Sequence, residues 1–569
     1  MNKNSVWVNA TQFFLKFLAI CGLCYATSTP LFAQKPTELE TPNTSVKEDD
    51  SLDSEPAWQE DPLISRGRYL TAASNCYGCH TNEPDYPYAG GKEFYTPFGT
   101  LYSSNITPDK ITGIGSMNDE QFYKTLHQGR GKNGEHLYPV MPYDSYTQMT
   151  HDDVIAIKAY LLSERAIRQE NRENNLSFPF SMRWILVGWN LFNFNKGEFS
   201  SDASKTAVIN RGAYLATALG HCSTCHTPRT LTMGSEHKSG LSGDIVTTGW
   251  YAPNITPDTV SGIGRWSDEE LTQYLTAGFA PGKANATGPM AATAVHSLSK
   301  LSDEDIQALI AWLRNQQPIR NKTDLSLPDA RTQFEWGEAQ DLSDQHRQTI
   351  KDYSATPSAI NTSIEPVRFY YGACASCHGI DGTGSNNSTV PSLVHNSTLG
   401  RPNAHNVALV ILNGSHRPAI GEHKEVFMPS FKHQFNDEEL TALVNWLFQS
   451  YGRPQTQITQ PDVAKLRLGE NPVPPPIISI AKSISIAILS LLVIFVLGAL
   501  IRYSPRIKAA LKPGKRRKHN RMRNAMHTRS FAPETKFQQT KLKEPVQKKD
   551  TATPTLPAEE HVKEEKHSL

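Results

Sequence analysis

Cys222-Ser223-Thr224-Cys225-His226 lies near the middle of the chain, and the pattern stands upstream as Cys76-Tyr77-Gly78-Cys79-His80 and downstream as Cys374-Ala375-Ser376-Cys377-His378. Two thiols three residues apart share one face of a helical turn, where each can add to a vinyl group of a haem. The next residue sets an imidazole beneath the iron. A bare Cys-x-x-Cys pair also suits half a zinc site, a redox dithiol or a disulfide. Zinc draws four ligands from neighbouring pairs, whereas these pairs stand about 150 residues apart. The immediate histidine, repeated three times, favours haem. The expected cofactors are three covalently bound haems c, with Cys76, Cys79, Cys222, Cys225, Cys374 and Cys377 as attachment points and His80, His226 and His378 as iron ligands.

The two ends place these motifs outside the cytoplasm. Residues 1–33 carry Lys3 and Lys16, an apolar run from Phe17 to Tyr25, and a small residue, Ala33, before Gln34, the layout of a secretory signal peptide. Cys21 and Cys24 fall in that run; Ile20 before Cys21 is bulky for a lipoprotein cleavage site. Residues 34–61 read as a flexible acidic leader. Near the other end, residues 477–501 are apolar apart from serines and Lys482 and are long enough to cross a bilayer. Between Arg502 and Arg523 there are ten Lys and Arg and no acid. By the positive-inside rule the tail, 502–569, is cytoplasmic and the motifs face the periplasm of a bacterial inner membrane, in a single-pass topology. The basic run suits a membrane surface, and no nucleic-acid partner is expected. The net charge of +1 over the whole sequence points to no acidic partner.

Internal repeats divide what remains. Asn105-Ile106-Thr107-Pro108-Asp109 recurs as Asn254-Ile255-Thr256-Pro257-Asp258, and Arg66-Gly67-Arg68-Tyr69-Leu70 is answered by Arg211-Gly212-Ala213-Tyr214-Leu215. Segments 62–170 and 205–320 are thus copies of one unit, and 361–455 is a more divergent third. Each ends in a helix announced by an N-cap, Thr150, Ser302 or Asn436, with Asp153, Asp305 or Glu439 three positions on, close to a capping box. Aliphatics follow at helical spacing, and the amphipathic face should pack on the helix that carries the haem motif. The expected fold is mostly α: three tandem cytochrome c-like helical domains and one C-terminal transmembrane helix. Linkers are expected at 171–204 and 321–360. In the first, the aromatic stretch Phe178 to Phe192 reads as buried packing between domains, ahead of a membrane-surface or quinone contact.

A six-coordinate iron needs a second ligand, and a neutral thioether favours the ferrous state. Met141, Met290 and Met428 each follow a motif, precede the last helix of the segment and adjoin a proline, which suits a fixed loop. Histidines are the rivals: His127, His136 or His151 in the first segment, His296 in the second, and His395, His405, His416 or His423 in the third. No hydrolytic triad, phosphate loop or dinucleotide fingerprint accompanies them, and no catalytic residue is assigned.

Over residues 62–450 the chain resembles the triheme cytochrome c subunits of membrane-bound bacterial dehydrogenases acting on alcohol, aldehyde, gluconate and related polyols. The resemblance is carried by the three motifs, the Asn-Ile-Thr-Pro-Asp blocks, Phe178-Pro179-Phe180 through Gly188-Trp189-Asn190, the Cys-His-Thr-Pro-Arg run ending at Arg229, and the Met141-Pro142 and Met428-Pro429 loops. It implies an electron-transfer subunit of a quinone-linked complex acting on CH-OH or aldehyde donors. Such a subunit takes electrons from a PQQ- or FAD-containing catalytic subunit and passes them to ubiquinone, with no substrate-oxidising site of its own. A full membrane span followed by a long basic tail departs from that family's modest anchor. Two other readings stay open: a free-standing respiratory cytochrome feeding a terminal oxidase, and a peroxidase-like enzyme with one open iron.

Overall fold

The computed structural model describes residues 61–325, 331–339, 366–385, 390–421 and 423–503. The signal peptide, nearly all of the acidic leader and basic tail, and most of the linker 321–360 lie outside the described residues.

The first segment opens with helix α1 (Pro62–Ala73), capped by the Asp61 side chain on Leu63 N, and the motif follows as the short turn α2 (Cys76–His80). Strands β1 (Glu93–Thr96) and β2 (Gly99–Tyr102) form a hairpin, joined on the far side of β2 by β3 (Asn175–Leu176). Between them come α3 (Asp119–Gln128), α4 (Tyr143–Tyr146) and the terminal helix α5 (His151–Ser163); α6 (Ile185–Asn193) lies in the linker. The second segment repeats the plan with α7 (Ala207–Tyr214), the motif turn α8 (Ser223–His226), α9 (Asp268–Ala277), α10 (Gly288–His296) and α11 (Asp303–Arg314). The third contains α12 (Pro366–Ala373), α13 (Ala375–His378), α14 (His405–Asn413), the hairpin β4 (Ser415–Arg417) with β5 (Val426–Met428), α15 (Asp437–Tyr451) and α16 (Gln460–Arg467). The molecule is mostly helical, as expected.

The terminal helix of each segment packs on the helix that leads into the motif, not on the motif turn itself. The crossing is closest where the repeat places glycine. A Cβ on Gly67 would stand 1.9 Å from the Ala156 carbonyl oxygen, and one on Gly212 would stand 1.9 Å from that of Ala308. No larger residue permits that approach, which accounts for the shared Arg-Gly-x-Tyr-Leu.

Thr150, Ser302 and Asn436 cap α5, α11 and α15 as expected, each accepting the backbone N–H three residues on. Only Asn436 with Glu439 closes a reciprocal capping box. In the other two the acid at that position does not reach back to its cap; it is buried and shared between segments. Asp153 accepts Arg66 of its own segment and the Tyr214 hydroxyl of the second. Asp305 accepts Arg211 of its own segment (2.8 and 2.6 Å) and the Tyr69 hydroxyl of the first at 2.6 Å. Each tyrosine also accepts the N–H of the cap residue opposite, Thr150 or Ser302.

The apolar interior follows the same division. One continuous core runs from Leu70 to Leu313 through both duplicated segments, including Leu126, Val154, Ile157, Leu215, Leu219, Ile306 and Ile310. A second, from Tyr370 to Leu466, serves the third and takes in α16, beyond the boundary at 455 read from sequence. The third segment meets the second and the linker that follows it: Asn406 exchanges both hydrogen bonds with the Tyr251 backbone (2.8 and 2.9 Å), Trp250 packs against the third segment's core, and Arg453 pairs with buried Asp324 of the linker at 2.7 Å.

The linker helix corrects the sequence reading. Tyr143, His136 and Thr232 hold α6 by its polar side, through Asn190 and Trp189. Phe178, Trp184, Val187, Leu191 and Phe192 face outward, between 57 % and 79 % exposed. Most of the aromatic stretch is therefore an apolar surface: only Leu186 of α6 is buried, while Phe180 packs on Phe98 and Trp189 bridges the segments, between Tyr143 of the first and Thr232 of the second. The last helix, α17 (Pro476–Tyr503), starts at the proline run and includes a 25-residue stretch, Pro476–Leu500, long and apolar enough to cross a membrane.

Candidate haem-binding sites

Each motif histidine is oriented by one backbone carbonyl. His80 Nδ1–H donates to Ser104 O at 2.7 Å, His226 Nδ1–H to Pro253 O at 2.7 Å, and His378 Nδ1–H to Pro391 O at 3.0 Å. A carbonyl only accepts, so Nδ1 carries the proton and the Nε2 lone pair is left for a metal. In the duplicated segments these carbonyls immediately precede Asn105 and Asn254. Asn105 Oδ1 takes the Thr107 N–H and hydroxyl, and Asn254 Oδ1 does the same for Thr256, fixing the loop that presents the carbonyl. Burial lowers the pKa of all three imidazoles, that of His226 to about 4, which keeps them neutral and able to ligate at pH 7.

The six motif cysteines are unpaired, and no cluster of three or more His, Cys, Asp or Glu able to hold a metal ion occurs among the described residues. Burial raises the thiols of Cys76 and Cys374 to about 12 and that of Cys222 to about 11. Such neutral thiols lack the depressed pKa of a reactive dithiol. With a lone-pair imidazole beside each pair, the donor set fits thioether-linked haem.

The first two motifs are neighbours. Helix α10 packs on α2, with Asn75 Nδ2 at 3.4 Å from Thr293 Oγ1 and the His296 ring 4.7 Å from that of Tyr77. In return the Tyr146 hydroxyl donates to Ser74 O at 3.0 Å, and its ring meets His221, which precedes the second motif, at 5.6 Å. The Cys225 thiol, raised by burial and lowered by Arg229, is also raised by Cys79 across this contact.

Of the methionines, Met141 lies on a bend before α4, partly buried against the first core, and Met428 ends β5 against the second. Met290 departs from expectation in local structure: it is the third residue of α10 rather than part of a loop. Among the rival histidines, His136 Nδ1 meets Asn190, His405 Nδ1 meets Gly249 O, and exposed His416 pairs with Glu425. His296 stacks on Tyr77, His423 meets the Phe279 ring, and His151 lies against Tyr123. His395 adopts a left-handed backbone conformation. His127 is buried against Tyr123, and neither ring nitrogen has a hydrogen-bond partner among the described residues. Sequence reading missed Tyr69 and Tyr214 as ties between segments, although their equal placement ahead of two motifs was a visible signal. It also missed Arg401, which no motif marks.

Helical segments with cysteine pairs and carbonyl-oriented histidines define a c-type cytochrome, and residues 209–317 and 367–450 match the Cytochrome c family. The chain is 35 % identical over 434 residues to the fructose dehydrogenase cytochrome subunit of Gluconobacter japonicus, covering 74 % of this chain and 85 % of that one. It is 35 % identical to the gluconate 2-dehydrogenase cytochrome c subunit of Pantoea cypripedii (72 % and 90 % covered). It is 31 % identical to the cytochrome c subunit of the quinone alcohol dehydrogenase of Gluconobacter oxydans (73 % and 84 % covered). The chain belongs to this family of dehydrogenase cytochrome c subunits, and it binds haem c covalently.

Proposed function

We propose that this chain is a membrane-anchored, periplasm-facing triheme relay that takes electrons from a PQQ- or FAD-containing dehydrogenase subunit and delivers them to ubiquinone. The observation that carries the reading is the threefold repetition of one arrangement: a cysteine pair, then an imidazole whose Nδ1 is fixed by a carbonyl and whose Nε2 is free. Bound haem supplies one-electron chemistry; the chain's residues determine where it sits and at what potential. Cys76 and Cys79, Cys222 and Cys225, and Cys374 and Cys377 would tether the groups, and His80, His226 and His378 would ligate the iron. Met141, Met290 and Met428 are the residues that would supply a second ligand, a thioether that favours the ferrous state. The apposition of the first two motifs supports transfer between them. Helix α17, followed by the basic tail, supports a single span with the tail inside.

The test is purification from membranes in mild detergent. A flavin- or PQQ-containing subunit should accompany the chain, and its sugar, alcohol or aldehyde substrate should reduce the haems, with ubiquinone reoxidising them. A cytochrome that purifies without such a subunit, or whose reduced haems are oxidised by peroxide and not by quinone, overturns the reading.

A further inference from the structure

Arg401 lies in the third segment between α13 and α14 and is 9 % exposed. Nε donates to Gln333 Oε1 at 2.9 Å and Nη2 to Ser397 Oγ at 3.3 Å, and among the described residues Nη1 has no hydrogen-bond partner. Among the described residues the other two buried guanidinium groups have their charge answered. Arg453 pairs with Asp324, and Arg417 lies 4.3 Å over the Phe279 ring while donating to Ala277 O. Arg401 has neither a carboxylate nor an aromatic face among the described residues. A buried cation left in that state is costly, so the fold implies an anion at this place.

The direction it faces identifies the anion. It lies near enough to Tyr251 and Tyr274, both of the second segment, for its charge to act on their hydroxyls, and Tyr251 stands two residues before Pro253, whose carbonyl orients His226. Tyr251 is tied to this wall by Asn406, and Gln333 anchors it by donating to Ser261 O. The group the second motif is built to hold carries two propionate carboxylates. We propose that Arg401 is the ion-pair partner of a propionate of the haem carried by Cys222, Cys225 and His226, so that the third segment sets the charge at the second segment's redox centre. The inference needs haem at the second motif only and does not depend on the identity of the dehydrogenase or quinone.

A guanidinium that neutralises a propionate favours the ferrous state. Its removal should shift the equilibrium of that one haem toward ferric by about tenfold, a fall of about 59 mV for a one-electron couple. In the full chain, Cys225→Ala leaves the second haem one thioether and one vinyl group. Its α-band then moves to longer wavelength and can be titrated alone; Cys377→Ala marks the third haem in the same way. Adding Arg401→Gln should lower the midpoint of the Cys225→Ala band, make it rise as pH falls, and displace a propionate bending mode in the resonance Raman spectrum. The Cys377→Ala band should stay in place. Asp244 and Asp324, the acids facing Tyr251, are present in both backgrounds and cancel. Arg401→Lys keeps the charge and should recover most of the midpoint. With Arg401 intact the marked band should vary less with pH between about 5 and 8 than in Arg401→Gln, because the paired propionate stays ionised while the second propionate is common to both. A shift confined to the third haem, an unmoved midpoint and Raman mode in Arg401→Gln, or a pH slope no smaller with Arg401 or lysine in place than in Arg401→Gln each overturns the proposal.

Discussion

Replacing Tyr214 with phenylalanine isolates one of the two ties between the duplicated segments. The hydroxyl donates to Asp153 Oδ2 and accepts Thr150 N–H at 3.3 Å. Tyrosine and aspartate are 7 % and 4 % exposed. Phenylalanine keeps the ring and its edge contact with Phe199, at 5.5 Å between centroids, so packing is unchanged and the hydrogen bonds alone are lost. A hydrogen bond to a charged group contributes about 1.5–3 kcal/mol. Arg66 remains on Asp153, so the carboxylate is not stranded and the lower half of that range applies, about 2 kcal/mol. A cooperative unit of this size loses about 2–4 °C of Tm per kcal/mol, which gives a fall of about 4–8 °C. The shared core predicts that both segments still melt in one transition. Thermal unfolding of the fully haem-loaded chain, followed by circular dichroism, measures it, with exposed Tyr86→Phe as control. A fall below about 1 °C, or one no larger than in the control, refutes the assignment of the hydroxyl as a tie.

Two further outcomes follow from the same residues and from the iron ligands. Burial raises the Asp305 carboxyl, but hydrogen bonds from Arg211 and Tyr69 outweigh it and hold the pKa below the ordinary value. The stabilisation from this depressed carboxyl is full above the unfolded pKa of about 3.9 and is lost as pH falls through the folded value. Asp305→Asn should therefore flatten the acid limb of a urea-stability profile below about pH 4, and an unchanged slope there contradicts the tie. Replacing Met141, Met290 or Met428 by alanine should each remove one share of the thioether-to-ferric charge-transfer absorption; a variant with an intact band eliminates that methionine as a ligand.

The sequence carried the parts of the fold that local chemistry dictates. The motif spacing located the three histidines, and the cap residues Thr150, Ser302 and Asn436 located the terminal helices, because an N-cap acts on N–H groups within one turn. Partners far along the chain were not legible. Asp153 and Asp305 resembled halves of capping boxes, yet each is taken by an arginine some 90 residues away and by a tyrosine from the other copy. The linker failed for another reason. Hydrophobicity alone suggested burial of Phe178 to Phe192, but the polar side chains of Trp189, Asn190 and Asn193 find bonds on the protein and turn the apolar side outward. Met290 was misplaced onto a loop because its neighbour Pro289 reads as a helix breaker, whereas within the first turn of α10 a missing N–H costs nothing.

The reciprocal ties explain why the first two copies still resemble each other where the third does not. In an isologous contact each partner supplies the same residues to the other, so one residue type serves two bonds. Tyr69 binds the acid of the second copy and Tyr214 that of the first; loss of either sequence feature breaks one bond and leaves its counterpart intact. The close helix crossings at Gly67 and Gly212 bring α5 and α11 to where those acids can be shared. The third segment meets the second and the linker after it through different surfaces, Asn406 on the Tyr251 backbone and Arg453 on Asp324, and has no use for an Arg-Gly-x-Tyr-Leu sequence. Its contribution to the pair is of another kind: it brings charged side chains to a wall that the duplicated unit does not complete alone. Arg453 arrives with its acid, Asp324, waiting in the protein, while Arg401 meets none among the described residues.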